Sequence, residues 1–194
     1  EAAGVAPYVE GPAHAGLSHL RGGHRRGRHV CASGDEEPVT LYVPPDGPCP
    51  AAWAVVGEAP AREEVRQGRG FVGPSGRLLW PLMSQYAGLG RADCYVTNLC
   101  KHPLDNELAG DDKLDPDEFE ACKYALLNEL SEVRPERVLA LGVLAARALL
   151  GDDFTTMEVC TGSVFEGPGY DVVPTWHPAA ALRPGGEDKL QYTA

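Results

Sequence analysis

Four short apolar runs constrain the fold of this chain more than any other feature. They are Trp53-Ala54-Val55-Val56-Gly57, Cys94-Tyr95-Val96-Thr97-Asn98, Val138-Leu139-Ala140-Leu141-Gly142 and Asp171-Val172-Val173-Pro174-Thr175. Each is too short for a helix and too continuously apolar for a strand with one wet face, which predicts buried parallel strands. Between them lie stretches with helical spacing. Ser75 is placed to cap a helix through Leu78, Leu79, Leu82 and Met83. Pro116 and Asp117 open a second, with Phe119, Cys122, Ala125, Leu126 and Leu130 on one face, and Ala145–Leu150 forms a third. Alternating strands and helices with short links imply an α/β domain whose parallel sheet is covered on both faces. Ligands of such sheets bind beyond the carboxyl ends of the strands, so the chemistry is expected after Val56, Val96, Leu141 and Val173.

The rest of the chain is less regular. Val39–Val43 is β-prone and closes on Pro44-Pro45-Asp46-Gly47. Residues 1–35, rich in Gly, Ala, His and Arg, read as a loosely structured arm, and residues 36–194 as one domain. The first residue is Glu rather than Met, as in a processed chain or a piece of a longer one. No apolar run is long enough to cross a bilayer and no secretory signal opens the chain, so a cytoplasmic, nucleoid-associated protein without a membrane partner is expected. The net charge of −11, from 28 acidic and 17 basic side chains, excludes broad electrostatic wrapping of nucleic acid but permits a local grip on a few nucleotides. Asp111, Asp112, Asp115, Asp117, Glu118 and Glu120 concentrate the negative charge in one loop over 105–120, a candidate surface for a protein partner. The six cysteines contain no Cys-x-x-Cys pair, which favours free thiols or metal ligands over disulfides.

The strand ends carry particular segments. Gly57-Glu58-Ala59-Pro60-Ala61 with Glu63 and Glu64, then Gly70-Phe71-Val72-Gly73-Pro74-Ser75-Gly76, follow the first strand. Thr97-Asn98-Leu99-Cys100-Lys101-His102-Pro103 follows the second, and Trp176-His177-Pro178 leading to Leu182-Arg183 follows the fourth. In this order the set, spanning roughly residues 40–190, resembles the family 4 uracil-DNA glycosylases of the iron–sulfur type. That resemblance implies a three-layer α/β/α sandwich around a four-stranded parallel sheet. It also implies hydrolysis of the N-glycosidic bond of uracil in DNA, leaving an abasic site for base-excision repair.

The residue chemistry agrees with that resemblance. Base release passes through an oxocarbenium-like sugar and a departing base anion, much as in glycoside hydrolysis. A carboxylate must orient water beneath the sugar, a donor must meet the base O2, and a pocket must read a flipped base. By resemblance Glu64 is the water-activating carboxylate and His177 the donor. Asn98 reads the base edge, accepting from uracil N3–H and donating to O4, a pattern that cytosine reverses. Phe71 is the stacking platform, and Glu58 and Ala59 line the pocket. Ser75 and Gly76 open a helix toward phosphate, and Leu182 and Arg183 press on the DNA.

Two departures stand out. Ala61 replaces a family glycine near the pocket, which leaves a modified pyrimidine open as the substrate. The family's four cysteine ligands are incomplete: Cys122 matches the last, His102 stands at the third, Cys31 at the second and Arg28 at the first. Cys31, His102 and Cys122, with His24 or His29, suit a mixed Cys/His site for a 4Fe–4S cluster or zinc, or the metal is lost and packing replaces it. Cys100 is expected to face away from that site. The loop after Pro103 lacks the basic, histidine-bearing character of a crosslinking branch, so ordinary hydrolytic release is expected. A non-catalytic glycosylase-like module of a larger replication or repair protein is the competing reading.

Overall fold

The computed structural model describes residues 41–104, 114–167, 169–186 and 188–189. The expected arm over 1–35, with Cys31, His24 and His29, and residues 105–113 of the expected acidic loop over 105–120 lie outside the described residues, while Pro116–Glu120 of that stretch is helical rather than loop.

The described strands are β1 (Trp53–Gly57), β2 (Cys94–Asn98), β3 (Arg137–Leu141), β4 (Phe165–Glu166) and β5 (Asp171–Thr175). Among the described residues they form one five-stranded sheet in the order β2-β1-β3-β5-β4. The four strands expected from the apolar runs are all parallel, and β4 adds a two-residue antiparallel edge on β5. A pair of residues, Phe165 and Glu166, is too short to leave a periodic signal in the sequence. The Val39–Val43 run gives no strand over its described part, Leu41–Val43. Instead the Val43 N–H donates to the Lys101 carbonyl at 2.7 Å. Asp46 exchanges a pair of main-chain hydrogen bonds with Val96, at 2.9 and 2.7 Å, as an isolated antiparallel bridge.

The helices are α1 (Arg62–Gln67), α2 (Pro74–Leu82), α3 (Pro116–Val133), α4 (Val143–Leu150), α5 (Met157–Cys160) and α6 (Pro178–Ala181). The Asp115 carboxylate starts α3 by accepting the Asp117 and Glu118 N–H groups, both at 3.0 Å, while Pro116 supplies the first helical residue. Ser75 is not a cap. Gly73 holds that position in α2, and Ser75 is the second residue of the helix. Helix α2 also ends one residue before Met83, continuing as a wider π turn over Met83–Ala87 just after Pro81, which has no N–H to offer the ladder. On α3, Ala125 is exposed, and Leu126, Leu130 and Val133 form the buried stripe.

Strand alternation sorts the core into two faces. Ala54, Val56, Val138, Ala140 and Val172 pack with Leu126 and Leu130 of α3 and Leu144 of α4. Val55, Val96, Leu139 and Leu141 pack with Leu79 of α2, Met83 and Phe71. The result is three layers, helix–sheet–helix. Among the described residues no helix is long and apolar enough to cross a membrane.

Leu126 is fully buried between α3 and the sheet. Leu126→Ala is expected to lower unfolding free energy in urea by about 2–5 kcal/mol, the range for a buried leucine truncated without collapse of the cavity. A loss under about 1 kcal/mol would mean that α3 does not close this face.

Candidate active site

The register of the sheet assembles the site. Gly57 at the end of β1 lies opposite Asn98 at the end of β2, and Leu141 lies opposite Thr175, so the carboxyl ends of four strands open on one side. The pairing of β1 with β2 continues past the strands: the Leu99 N–H donates to the Gly57 carbonyl at 2.8 Å and the Cys100 N–H to the Glu58 carbonyl at 2.9 Å. A cleft of about 320 Å³ lies over these ends, lined by Glu58, Ala61, Ser75, Trp176, His177 and Arg183, among others. A narrower recess shares Ala59, Ala61, Ser75 and His177 with it and reaches Glu64, Phe71 and Asn98. Glu58, Ala59, Glu64, Phe71, Asn98 and His177 are therefore brought together from five separate stretches of chain.

Gly57 is what lets them converge. A Cβ there would overlap Asn98 Oδ1 and come within 2.6 Å of Phe71 Cζ. Phe71 is buried and adopts φ +52°, a left-handed conformation rare for an aromatic residue. Its ring lies 6.1 Å from the His177 ring, tilted by 31°. Asn98 is 4% exposed, and its backbone is held from behind. The Lys101 ammonium donates to the Asn98 carbonyl and the Thr97 hydroxyl, each at 2.6 Å, and pairs with Glu129 at 2.8 Å.

His177 precedes α6 and caps it, its Nδ1 accepting the Ala179 N–H at 3.2 Å. An imidazole nitrogen that accepts carries no proton. A neutral ring in this geometry holds its proton on Nε2.

The two carboxylates differ. Glu64 is 6% exposed, with Oε2 accepting the Ala61 N–H at 3.1 Å and Oε1 the Gly73 N–H at 2.9 Å. It closes the first turn of α1 onto its own entry and ties that turn to the Phe71–Gly73 loop. A Cβ on Gly73 would meet Glu64 Oε1 at 2.8 Å, so this junction also needs a glycine. Glu58 is half-buried on the wall of the larger cleft, with Oε1 3.4 Å from the Leu144 N–H at the amino end of α4.

At the rim, Ser75 and Arg183 border the cleft and Leu182 is an exposed turn residue after α6. Gly76 serves the interior: a Cβ there would overlap the Phe71 carbonyl oxygen. Trp176, Trp80, Arg91 and Lys101 border or brace the site although no motif marked them. Among them Trp176 and Lys101 stand in segments that sequence reading singled out, and Trp80 and Arg91 do not.

The expected ligand cluster is rearranged. Cys31 is outside the described residues. Cys100, expected to face away, instead points its thiol at Cys122, with the two sulfurs 3.2 Å apart. The chain bends after Asn98, so strand alternation no longer governs residue 100. The hydrogen bond from Cys100 and the nearby His102 hold the Cys122 thiol below its ordinary value, against burial. That same bond, with burial, pushes Cys100 up. His102 lies 3.3 Å from Glu118. Among the described residues, no group of three His, Cys, Asp or Glu side chains is placed to hold a metal ion.

Comparison with known proteins adds family context. The Uracil DNA glycosylase superfamily profile matches residues 44–193. A type-4 uracil-DNA glycosylase of Archaeoglobus fulgidus is 36% identical over 152 residues, covering 74% of this chain and 73% of that protein. One of Pyrobaculum aerophilum is 34% identical over 164 residues, covering 77% and 79%.

The different settings of the carboxylates separate two substitutions. Glu64→Gln replaces one acceptor by an NH2 group, leaving one buried backbone N–H unpaired, and should lower stability in urea by about 1–3 kcal/mol. Glu58→Gln, half-buried on the cleft wall, keeps an amide oxygen for the Leu144 N–H and should cost less, under about 1 kcal/mol. Equal losses would show that the two carboxylates are not divided between structure and cleft.

Proposed function

The chain belongs to the uracil-DNA glycosylase superfamily, in its type-4 group, and we propose that it hydrolyses the N-glycosidic bond of uracil in DNA with the residues gathered at the strand ends. The observation that carries the assignment of roles is the meeting of Phe71, Asn98 and His177 in one recess. A flipped uracil stacks on Phe71 and is read by the Asn98 amide, which accepts from N3–H and donates to O4. As the bond between C1′ and N1 breaks, the electron pair leaves with the base, and His177 Nε2–H stabilises the negative charge at O2. Water adds to the oxocarbenium-like C1′ and gives its proton to a carboxylate, the departed uracil anion takes up a proton at N1 from solvent and the carboxylate returns its own, so the products are free uracil and an abasic sugar.

For that carboxylate we favour Glu58 over Glu64. Glu64 is 6% exposed with both oxygens accepting backbone N–H groups, of Ala61 and Gly73, whereas Glu58, whose Oε1 accepts the Leu144 N–H, is half-buried on the wall of the larger cleft beside His177. Glu64 then acts on the reaction through the loop it fixes. Ser75 and Gly76 at the start of α2 and Leu182 with Arg183 are proposed to touch the DNA backbone and the flipped-out position. The local scale of this grip suits a chain of net charge −11. Ala61 supports a narrower second reading, because its exposed methyl borders both the cleft and the recess, where the edge of a 5-substituted pyrimidine would pass.

The type-4 group carries a 4Fe–4S cluster, in which each thiolate occupies its own iron corner. The described residues do not fit that arrangement. Two sulfurs at 3.2 Å are closer even than the roughly 3.8 Å that two 2.3 Å Zn–S bonds would set in a tetrahedral site. We propose that this chain has left the four-cysteine set, with Cys100 and Cys122 a packed thiol pair.

Incubation with an oligonucleotide carrying one uracil should give free uracil and an alkali-labile strand. Glu58→Gln should slow single-turnover release by at least about a hundredfold, the worth of a positioned acid or base. Glu64→Gln should cost much less once its lower stability is allowed for. The reverse order would return the water-activating role to Glu64, and no release by the unaltered chain would favour a non-catalytic module. Metal analysis of the purified protein should find fewer than the four irons of a cubane, and four with matching visible absorbance would overturn the thiol-pair reading.

A further inference from the structure

The Phe71 ring can serve as a platform only if its backbone stays in a conformation that it does not favour. At φ +52° the residue sits in a region open mainly to glycine and asparagine, and such a state persists only where the surroundings impose it. Gly57 and Gly76 make room for the ring and for the carbonyl, but room alone does not hold a strained residue. Something must act on the Phe71 backbone.

Two side chains outside the cleft do so. The Trp80 indole Nε1–H donates to the Phe71 carbonyl at 3.1 Å, and Arg91 Nη1 reaches the same oxygen at 3.5 Å. The Trp80 ring meets the Phe71 ring edge to face, with centroids 6.5 Å apart, and the Arg91 guanidinium lies over the Trp80 ring at 5.2 Å. Arg91 is in turn fixed by Asp46, with Nη2 2.9 Å from Oδ2, the oxygen that Arg69 also binds at 2.6 Å. The Arg69 and Arg91 guanidiniums hold the Asp46 carboxyl below its usual range. The Asp46 backbone is bridged to Val96, two residues before Asn98. A continuous chain of contacts therefore runs from β2, through Asp46, Arg91 and Trp80, to the carbonyl of Phe71.

We propose that Trp80 and Arg91 are positioning residues for base recognition, clamping the Phe71 carbonyl so that its ring keeps a fixed place beside Asn98 and His177. This rests on the reading of Phe71 as the base platform. Neither side chain touches the base. Both act by keeping the strained backbone from relaxing, and Asp46 links the platform to the strand that carries Asn98.

The clamp is separable from general support of the fold by comparing two affinities. Binding of free uracil, followed by NMR titration, reports the platform, while binding of a duplex with an abasic site reports the DNA surface without the base. Trp80→Phe keeps the ring and removes the N–H donor. It should weaken uracil binding about threefold to tenfold, the worth of one neutral hydrogen bond, leave abasic-duplex affinity essentially unchanged and lower the thermal midpoint by no more than about 2–4 °C. In a Phe71→Leu background the same substitution should cost nothing further, because the clamp then has no platform to hold. Arg91→Met should repeat the pattern and Arg91→Lys should restore part of it, which covers the case in which Trp80→Phe disturbs folding. Unchanged uracil affinity in both Trp80→Phe and Arg91→Met, or equal losses with and without Phe71, would overturn the clamp. Absence of uracil binding by the unaltered chain would count instead against the glycosylase reading beneath it, and the clamp would fall with it.

Discussion

At residue 57 the backbone of β1 passes so close to the Asn98 amide and the Phe71 ring that no side-chain carbon fits between them. The parallel register sets this closeness by placing Gly57 opposite Asn98, and Phe71 enters from the loop ahead of α2. The glycine thus does more than turn the chain. Its missing side chain is the space in which a strand-end amide and an aromatic face can act on one ligand. Gly73 and Gly76 repeat the device around Phe71, the first against the Glu64 carboxylate and the second against the Phe71 carbonyl.

Much of this was legible because parallel strands buried on both faces leave a strong signature. The four runs ending at Gly57, Asn98, Gly142 and Thr175 gave the sheet, and the polar residues at and beyond their ends gave the location of the site. What escaped was set by three-dimensional detail. Alternation cannot be carried past a strand end, so Cys100 was expected on the wrong face. A motif can place Glu64 near the site without revealing that two backbone N–H groups occupy its oxygens. Trp80 and Arg91 lie in a helix and a turn with no chemical motif, and only the direction of the Phe71 carbonyl reveals their part. The two-residue β4 is invisible for lack of length.

Charged groups close to the site are mostly spent on fixing backbone. Glu64 fixes the Phe71 loop, Lys101 with Glu129 fixes the end of β2, and Asp46 with Arg69 and Arg91 fixes the outer side. Glu58 also meets a backbone N–H, that of Leu144 at the start of α4, and lines the larger cleft beside His177. Rigid supports of this kind suit catalysis by preorganised dipoles, in which donors must already stand where charge will develop. The His177 tautomer belongs to the same design, since a backbone N–H at the start of α6 selects the nitrogen that carries the proton.

The central claim is that the recess formed by Phe71, Asn98 and His177 recognises uracil. A crystal structure of the protein soaked with free uracil tests it most directly. The expected result is a uracil ring stacked on Phe71, with N3 and O4 within hydrogen-bond distance of the Asn98 amide and O2 facing His177 Nε2. Uracil bound elsewhere, or bound in the recess with that edge turned away from Asn98, would contradict it.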